Sequence, residues 1–163
     1  MLLSSCARAA TATEAAYRID VPIASARAAR IVALDEGAER VARRAAEEPW
    51  ASAHFFVCEG VAGAGTSADG LLLRGLDGSP VMLGEELDRA DVVVMIATEG
   101  AGAACASTIG RACFERGIMT AGLVLGDGYE TDDAVAALRP HARVLLPSAD
   151  EGDVVELLSA LRA

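Results

Sequence analysis

The stretch 91–124 restricts this chain to one class of fold. It reads Asp-Val-Val-Val-Met-Ile-Ala, then Thr-Glu-Gly-Ala-Gly, then a helical run over 103–117, then Ile-Met-Thr-Ala-Gly-Leu-Val. A continuous apolar run of strand length predicts a strand covered on both faces. Two such strands joined through a helix predict a parallel pair, because parallel strands need a long crossover. In open parallel sheets ligands sit at the turns outside the carboxyl ends of the strands. Here that turn carries a carboxylate, Glu99, where a phosphate-binding turn favours bare backbone or positive charge.

The same rhythm runs through most of the chain. Apolar runs at 29–34, 53–58, 71–73 and 143–146 predict strands. Helical patterns occupy 38–48, stopped by Pro49, and then 84–90, 130–138 and 151–161. Ser148 and Glu151 stand in the order of a capping box at the start of the last helix. Gly60, Gly63, Gly65 and Gly70 mark a loop. The alternation predicts an α/β fold, a three-layer Rossmann-like doubly wound parallel sheet with helices on both faces. It forms a single domain over 29–163, preceded by an extension over 1–28 rich in Ala, Ser, Thr and Arg. A chain of 163 residues that is 53% hydrophobic has enough material for one such core.

Charge excludes some partners. The 14 Lys+Arg stand against 24 Asp+Glu, a formal charge of −10. Affinity for nucleic acid rests mainly on neutralising phosphates, so nucleic acid is not expected as a partner, nor is a membrane surface. No run approaches the ~20 apolar residues of a membrane span. All positive residues are Arg, and Lys, Asn and Gln are absent. A P-loop lysine, a Schiff-base lysine and an amide oxyanion donor are therefore ruled out. Cys6, Cys58, Cys105 and Cys113 contain no CxxC pair and are expected to be free, buried small hydrophobes in a cytoplasmic, reducing setting. Leu3-Ser4-Ser5-Cys6 matches a lipoprotein cleavage box, but no charged start or apolar core precedes it, so no signal peptide is expected.

In a doubly wound sheet the turns after the strands gather along one edge. Here they carry Asp35 and Glu36, Glu59, Thr98 and Glu99, Asp127, and Ser148. Two readings compete. In the structural one each acid begins a helix, where it gains ~0.3–1 kcal/mol from the positive end of the helix dipole. In the functional one Asp35, Glu36, Glu99 and Asp127 converge on Mg²⁺ or another hard cation, or receive an amine or a ribose. Glu59 stands about 20 residues beyond Gly37, the distance of the ribose-binding acid in dinucleotide folds. The ligand-binding set is then Gly37, Glu59, Thr98, Glu99, Gly100 and Gly102, with the backbone after Gly100 and Gly102 left as an anion seat. Ser107 and Thr108 are expected to pack or bond back to the chain. His54 and His141 are expected at a strand edge or in the core rather than as bases.

Residues 28–146 resemble the nucleotide-binding domain of FtsZ, the tubulin-like cell-division GTPase. The residues that carry this are Ala90-Asp91-Val92-Val93-Val94-Met95-Ile96-Ala97, the glycine turn after them, Glu115-Arg116-Gly117-Ile118-Met119-Thr120-Ala121-Gly122-Leu123-Val124, and Ala136-Ala137-Leu138-Arg139-Pro140-His141. Where that family has a glycine run, this chain has Asp35-Glu36-Gly37-Ala38-Glu39. Where it has GGGTGTG, this chain has Thr98-Glu99-Gly100-Ala101-Gly102-Ala103-Ala104. The resemblance implies a small-ligand or nucleotide-like binding domain with eroded phosphate loops and no GTP hydrolysis. Its cofactor would be a nucleotide or Mg²⁺. A second resemblance, to short chains labelled 3-methyl-2-oxobutanoate (ketopantoate) hydroxymethyltransferase, implies a small metal-assisted enzyme using the acidic rim. That enzyme is a (β/α)₈ barrel, which takes roughly 200 residues or more, so here the label implies another fold. A third reading is a structural homo-oligomer that self-associates through segment 1–48. The partners expected are thus a small molecule or a second copy of the chain.

Overall fold

The computed structural model describes residues 25–59, 71–126 and 131–163. The elements are β1 (Ala29–Ala33), α1 (Glu36–Ala45), β2 (Ala53–Val57), β3 (Leu72–Gly75), β4 (Pro80–Met82), α2 (Leu83–Leu87), β5 (Val92–Ala97), a 3₁₀ turn (Gly100–Gly102), α3 (Ala103–Arg116), β6 (Met119–Leu125), α4 (Asp132–Leu138), β7 (Val144–Ala149) and α5 (Glu151–Leu161). Among the described residues the strands form one seven-stranded sheet in the order β4-β3-β2-β1-β5-β6-β7. β2, β1, β5, β6 and β7 run parallel.

β1 and β5 lie at the middle of the sheet, and every residue of both is buried. That is why they read as unbroken apolar runs rather than alternating ones. The alternation is still present in what each face touches. Ile31, Val92, Val94 and Ile96 join Ala38, Val41 and Ala42 of α1 and Val154 and Leu158 of α5 in one cluster. Val32, Val93 and Met95 join Leu83 and Leu87 of α2, Ile109 and Ala112 of α3 and Leu138 of α4 in the other. Burying a side chain the size of Ile31 or Met95 contributes about 1.5–3 kcal/mol. The strand period therefore feeds both cores at once.

Two expectations are corrected. The sheet is mixed, because β3 runs antiparallel to β2 and β4 antiparallel to β3. The turn between them is built by Asp77, whose side chain accepts from the Ser79 N–H at 2.9 Å and the Ser79 hydroxyl at 2.6 Å. Asp and Gly are turn formers for this reason. β4 is three residues long, too short to show a period. The capping box of α5 is formed by Asp150 and Asp153, which accept from each other's backbone N–H groups at 3.0 and 2.8 Å. Ser148 belongs to β7, which runs on through Ala149. The glycine loop over 60–70, the segment over 1–24 and Asp127 lie outside the described residues.

Candidate functional site, a cleft where the chain changes direction

From β1 the chain crosses through α1 to β2. From β5 it crosses through α3 to β6, on the other side. The carboxyl ends of β1 and β5 therefore feed connections that diverge, and a crevice opens between them. The turns at this point are Asp35-Glu36 and Thr98-Glu99-Gly100, the two the sequence singles out.

Asp35 ties these turns together. One carboxylate oxygen accepts from the Ala38 N–H at 2.8 Å and from the Thr98 hydroxyl at 2.6 Å. The other accepts from the Thr98 N–H at 2.7 Å and the Glu99 N–H at 3.0 Å. A carboxylate has about four lone-pair sites, and all four are used. Asp35 is thus the N-cap of α1 and also an internal anion on the amides that follow β5. The amides of Thr98 and Glu99 open the turn that leads to the expected anion seat. Here the protein's own side chain holds them.

The glycines are used in packing. A Cβ on Gly37 would lie 2.4 Å from the Thr98 hydroxyl, and one on Gly102 would lie 2.4 Å from the Leu34 Cβ. One on Gly100 would lie 2.6 Å from the Asp133 Cβ. The missing side chains let the turns approach α1, β1 and α4 closely. The Ala103 N–H, at the start of the expected anion seat, donates to the Gly100 carbonyl.

The cleft beside this junction has a volume of about 480 Å³. Asp35, Glu36, Glu39, Glu59 and Glu99 line it, with Arg74 as its cation. Sequence reasoning missed Glu39 and Arg74. Glu39 accepts from Arg43 at 2.6 Å and from Arg74 at 3.0 Å. Arg74 also pairs with Glu59. These bonds, first to Arg74 and then to Arg43, hold the Glu39 carboxyl below its ordinary range. Glu39 and then Glu59 push the Arg74 guanidinium further up. The Glu39–Arg43 spacing on one helix was legible as an i,i+4 pair. The approach of Arg74 was not, because it depends on the antiparallel return of β3 beside β2.

Of the expected rim, Asp35, Glu36, Glu59, Glu99 and Gly102 meet in this cleft. Thr98 and Ser148 line a neighbouring cleft with Gly126 and Asp150. Among the described residues no group of three His, Cys, Asp or Glu side chains is placed to hold a metal. Asp35, offered as a ligand, has no lone pair to spare, and Glu36 and Glu99 are exposed on the rim. Thr108 bonds back to the Ala104 carbonyl at 3.0 Å, as expected. His54 is exposed on β2 with its ring 6.5 Å from that of Phe56. His141 lies half-buried in the loop before β7.

The cysteines are a further correction. Cys58 and Cys105 form a disulfide, with 6.4 Å between their Cα atoms, and both line the cleft. It joins the residue after β2 to the first turn of α3. A sequence separation of 47 carries no signal of pairing. Only the folded sheet, which sets the end of β2 beside the start of α3, brings these positions together. The inference of a reducing compartment from free thiols therefore loses its basis at these two positions. Cys113 is free and buried, and burial pushes its thiol up to about 12. Among the described residues no helix is long and apolar enough to cross a membrane.

No protein-family model matches this chain, and no curated protein matches it significantly.

Proposed function

We propose that this chain is a small-molecule-binding domain of Rossmann-like, three-layer, doubly wound architecture whose ligand lies in the acidic cleft and is neutral or cationic. The parallel strands, in the order β2-β1-β5-β6-β7, follow the flavodoxin-like version of the doubly wound plan once the β3–β4 hairpin is set aside. The observation that carries the reading is the Asp35 carboxylate on the amides of Thr98 and Glu99. A phosphate brought there would have to displace it. It would also meet like charge, at a cost of about 4 kcal/mol per carboxylate at 4 Å and an effective dielectric of about 20. Glu36, Glu59 and Glu99 suit an amine or the hydroxyls of a sugar instead. On this reading any kinship with FtsZ is that of a relative that has given up phosphate binding and GTP hydrolysis. The metal-assisted alternative has less support, because one of its four expected ligands, Asp35, is saturated.

A thermal-shift titration tests this. Guanosine and 1,4-diaminobutane, as polyhydroxyl and amine probes, are expected to raise Tm in a saturable way, by the linkage of binding to folding. At least one of the two shifts should weaken in Glu59→Gln. GTP and GDP without Mg²⁺ should give no shift. Stabilisation by GTP or GDP equal to or above that by both probes would overturn the reading, as would no shift with either probe.

A further inference from the structure

A second hollow, of about 450 Å³, lies at the opposite edge of the sheet. The C-terminal half of α3 forms one wall, through Gly110, Arg111 and Phe114. The connection from α4 to β7 forms the other, through Pro140, His141 and Arg143, and Thr120 at the amino end of β6 lies between them. Among the described residues no carboxylate lines it. In a chain with ten more acids than bases, whose other described cleft of this size beside β1 gathers five carboxylates, this hollow has the reverse charge.

Three features give it the form of a site. Arg111 and Arg143 are both exposed, on opposite walls. Two guanidiniums facing one space suit a carboxylate or phosphate, which they hold with paired N–H donors. Phe114 is 87% exposed, the most open large apolar side chain among the described residues. A flat apolar surface beside guanidinium groups suits a ring. His141 is held against α3 because Gly110 has no side chain: a Cβ there would lie 2.4 Å from the His141 Cβ. Two of the terminal carbonyls of α3 do not compete for the cations. The Phe114 and Cys113 carbonyls already accept from Gly117 and Ile118 at 3.2 and 2.9 Å.

We propose that this groove is a second binding site, for a small organic anion with a flat apolar body. Arg111 and Arg143 take the charge and Phe114 takes the ring. Burial, and then the charge of Arg111, hold the His141 imidazole below its ordinary value. Near neutral pH the site thus presents a neutral ring between two permanent cations. The proposal does not depend on the ligand assigned to the acidic cleft.

The test is binding of benzoate and phenyl phosphate to the whole chain, read by calorimetry and by thermal shift in low salt. Saturable binding of at least one is expected, with no binding of benzyl alcohol, which has the ring without the charge. The double variant Arg111→Ala/Arg143→Ala should bind at least about tenfold more weakly, and Phe114→Ala should lose the preference for benzoate over acetate. Preference for phenyl phosphate over benzoate would assign the anion as a phosphate, and the reverse as a carboxylate. Both arginines are exposed, so the double variant should keep the native circular dichroism. Glu59→Gln, in the acidic cleft, should bind benzoate unchanged, which separates the two sites. Equal binding by the double variant would overturn the proposal, as would no binding of either anion up to millimolar concentration.

Discussion

Asp35 satisfies four donors with two oxygens, so its removal strands groups on two turns at once. A lost N-cap costs about 1 kcal/mol, and a hydrogen bond to a charged group about 1.5–3 kcal/mol. These losses overlap, because water reaches part of the turn. Asp35→Ala should therefore destabilise the fold by about 2–4 kcal/mol, measured by urea unfolding. Asp35→Asn should lose nearly as much, since its amide nitrogen would face donors. A loss below about 1 kcal/mol in both variants would show that the bridge is dispensable. Glu39 gives a pH dependence whose sign can be worked out. Its carboxyl has an ordinary value of 4.5 and is held lower in the fold by Arg74 and Arg43. The unfolded chain thus binds the proton more readily. The stabilisation is complete above 4.5 and is lost as pH falls through the folded value. The stability difference between the parent chain and Glu39→Gln should accordingly shrink as pH is lowered from roughly 6 to roughly 3. A difference that stays constant would exclude this ion pair as its source.

At the scale of elements, the disulfide between Cys58 and Cys105 joins the residue after β2 to the first turn of α3 across the cleft. Cross-linking positions 47 apart constrains the unfolded chain by about 4 kcal/mol on the loop-entropy account, and typical values are 2–4. Reduction, or Cys58→Ser with Cys105→Ser, should lower the urea midpoint accordingly. Alkylation of the native chain without reductant should leave both positions unlabelled. Cys113 should also resist, since burial keeps its thiol protonated. Labelling of Cys58 in the native, unreduced chain would exclude the bond. The elements themselves were legible to different degrees. β1 and β5 announced themselves as apolar runs because both faces of each are covered. α1 begins two residues earlier than its apolar pattern, because Asp35 rather than the pattern sets its start. The β3–β4 hairpin was half visible. Its turn residues were plain, but Leu72 is exposed while Leu71 and Leu73 are buried, so three leucines in a row conceal an alternation.

Over the whole molecule, two edges of one sheet carry opposite charge: acids where the parallel strands end, arginines where β6 and β7 begin. The location of the acidic cleft was legible from strand–turn–helix order alone, because turns after parallel strands must share an edge. Its chemistry was not. Whether Asp35 binds a ligand or binds the chain depends on the neighbour of Thr98, and which cation reaches Glu59 depends on a strand that doubles back. The basic groove left no mark in sequence, because Arg111 and Arg143 come from separate elements and meet only after folding. The doubled-back strand has one more consequence. Among the described residues β3 is held to β2 through the pairs Phe56↔Gly75 and Val57↔Arg74, whereas β1 and β5 share five. A hairpin anchored so briefly should exchange its amide hydrogens far faster than the central strands. Each such opening lifts Arg74 away and leaves Glu39 and Glu59 without their shared cation. On that expectation the cleft's negative potential is a time average, and slow exchange at β3 would mean instead that the buried Leu71 and Leu73 hold the hairpin shut.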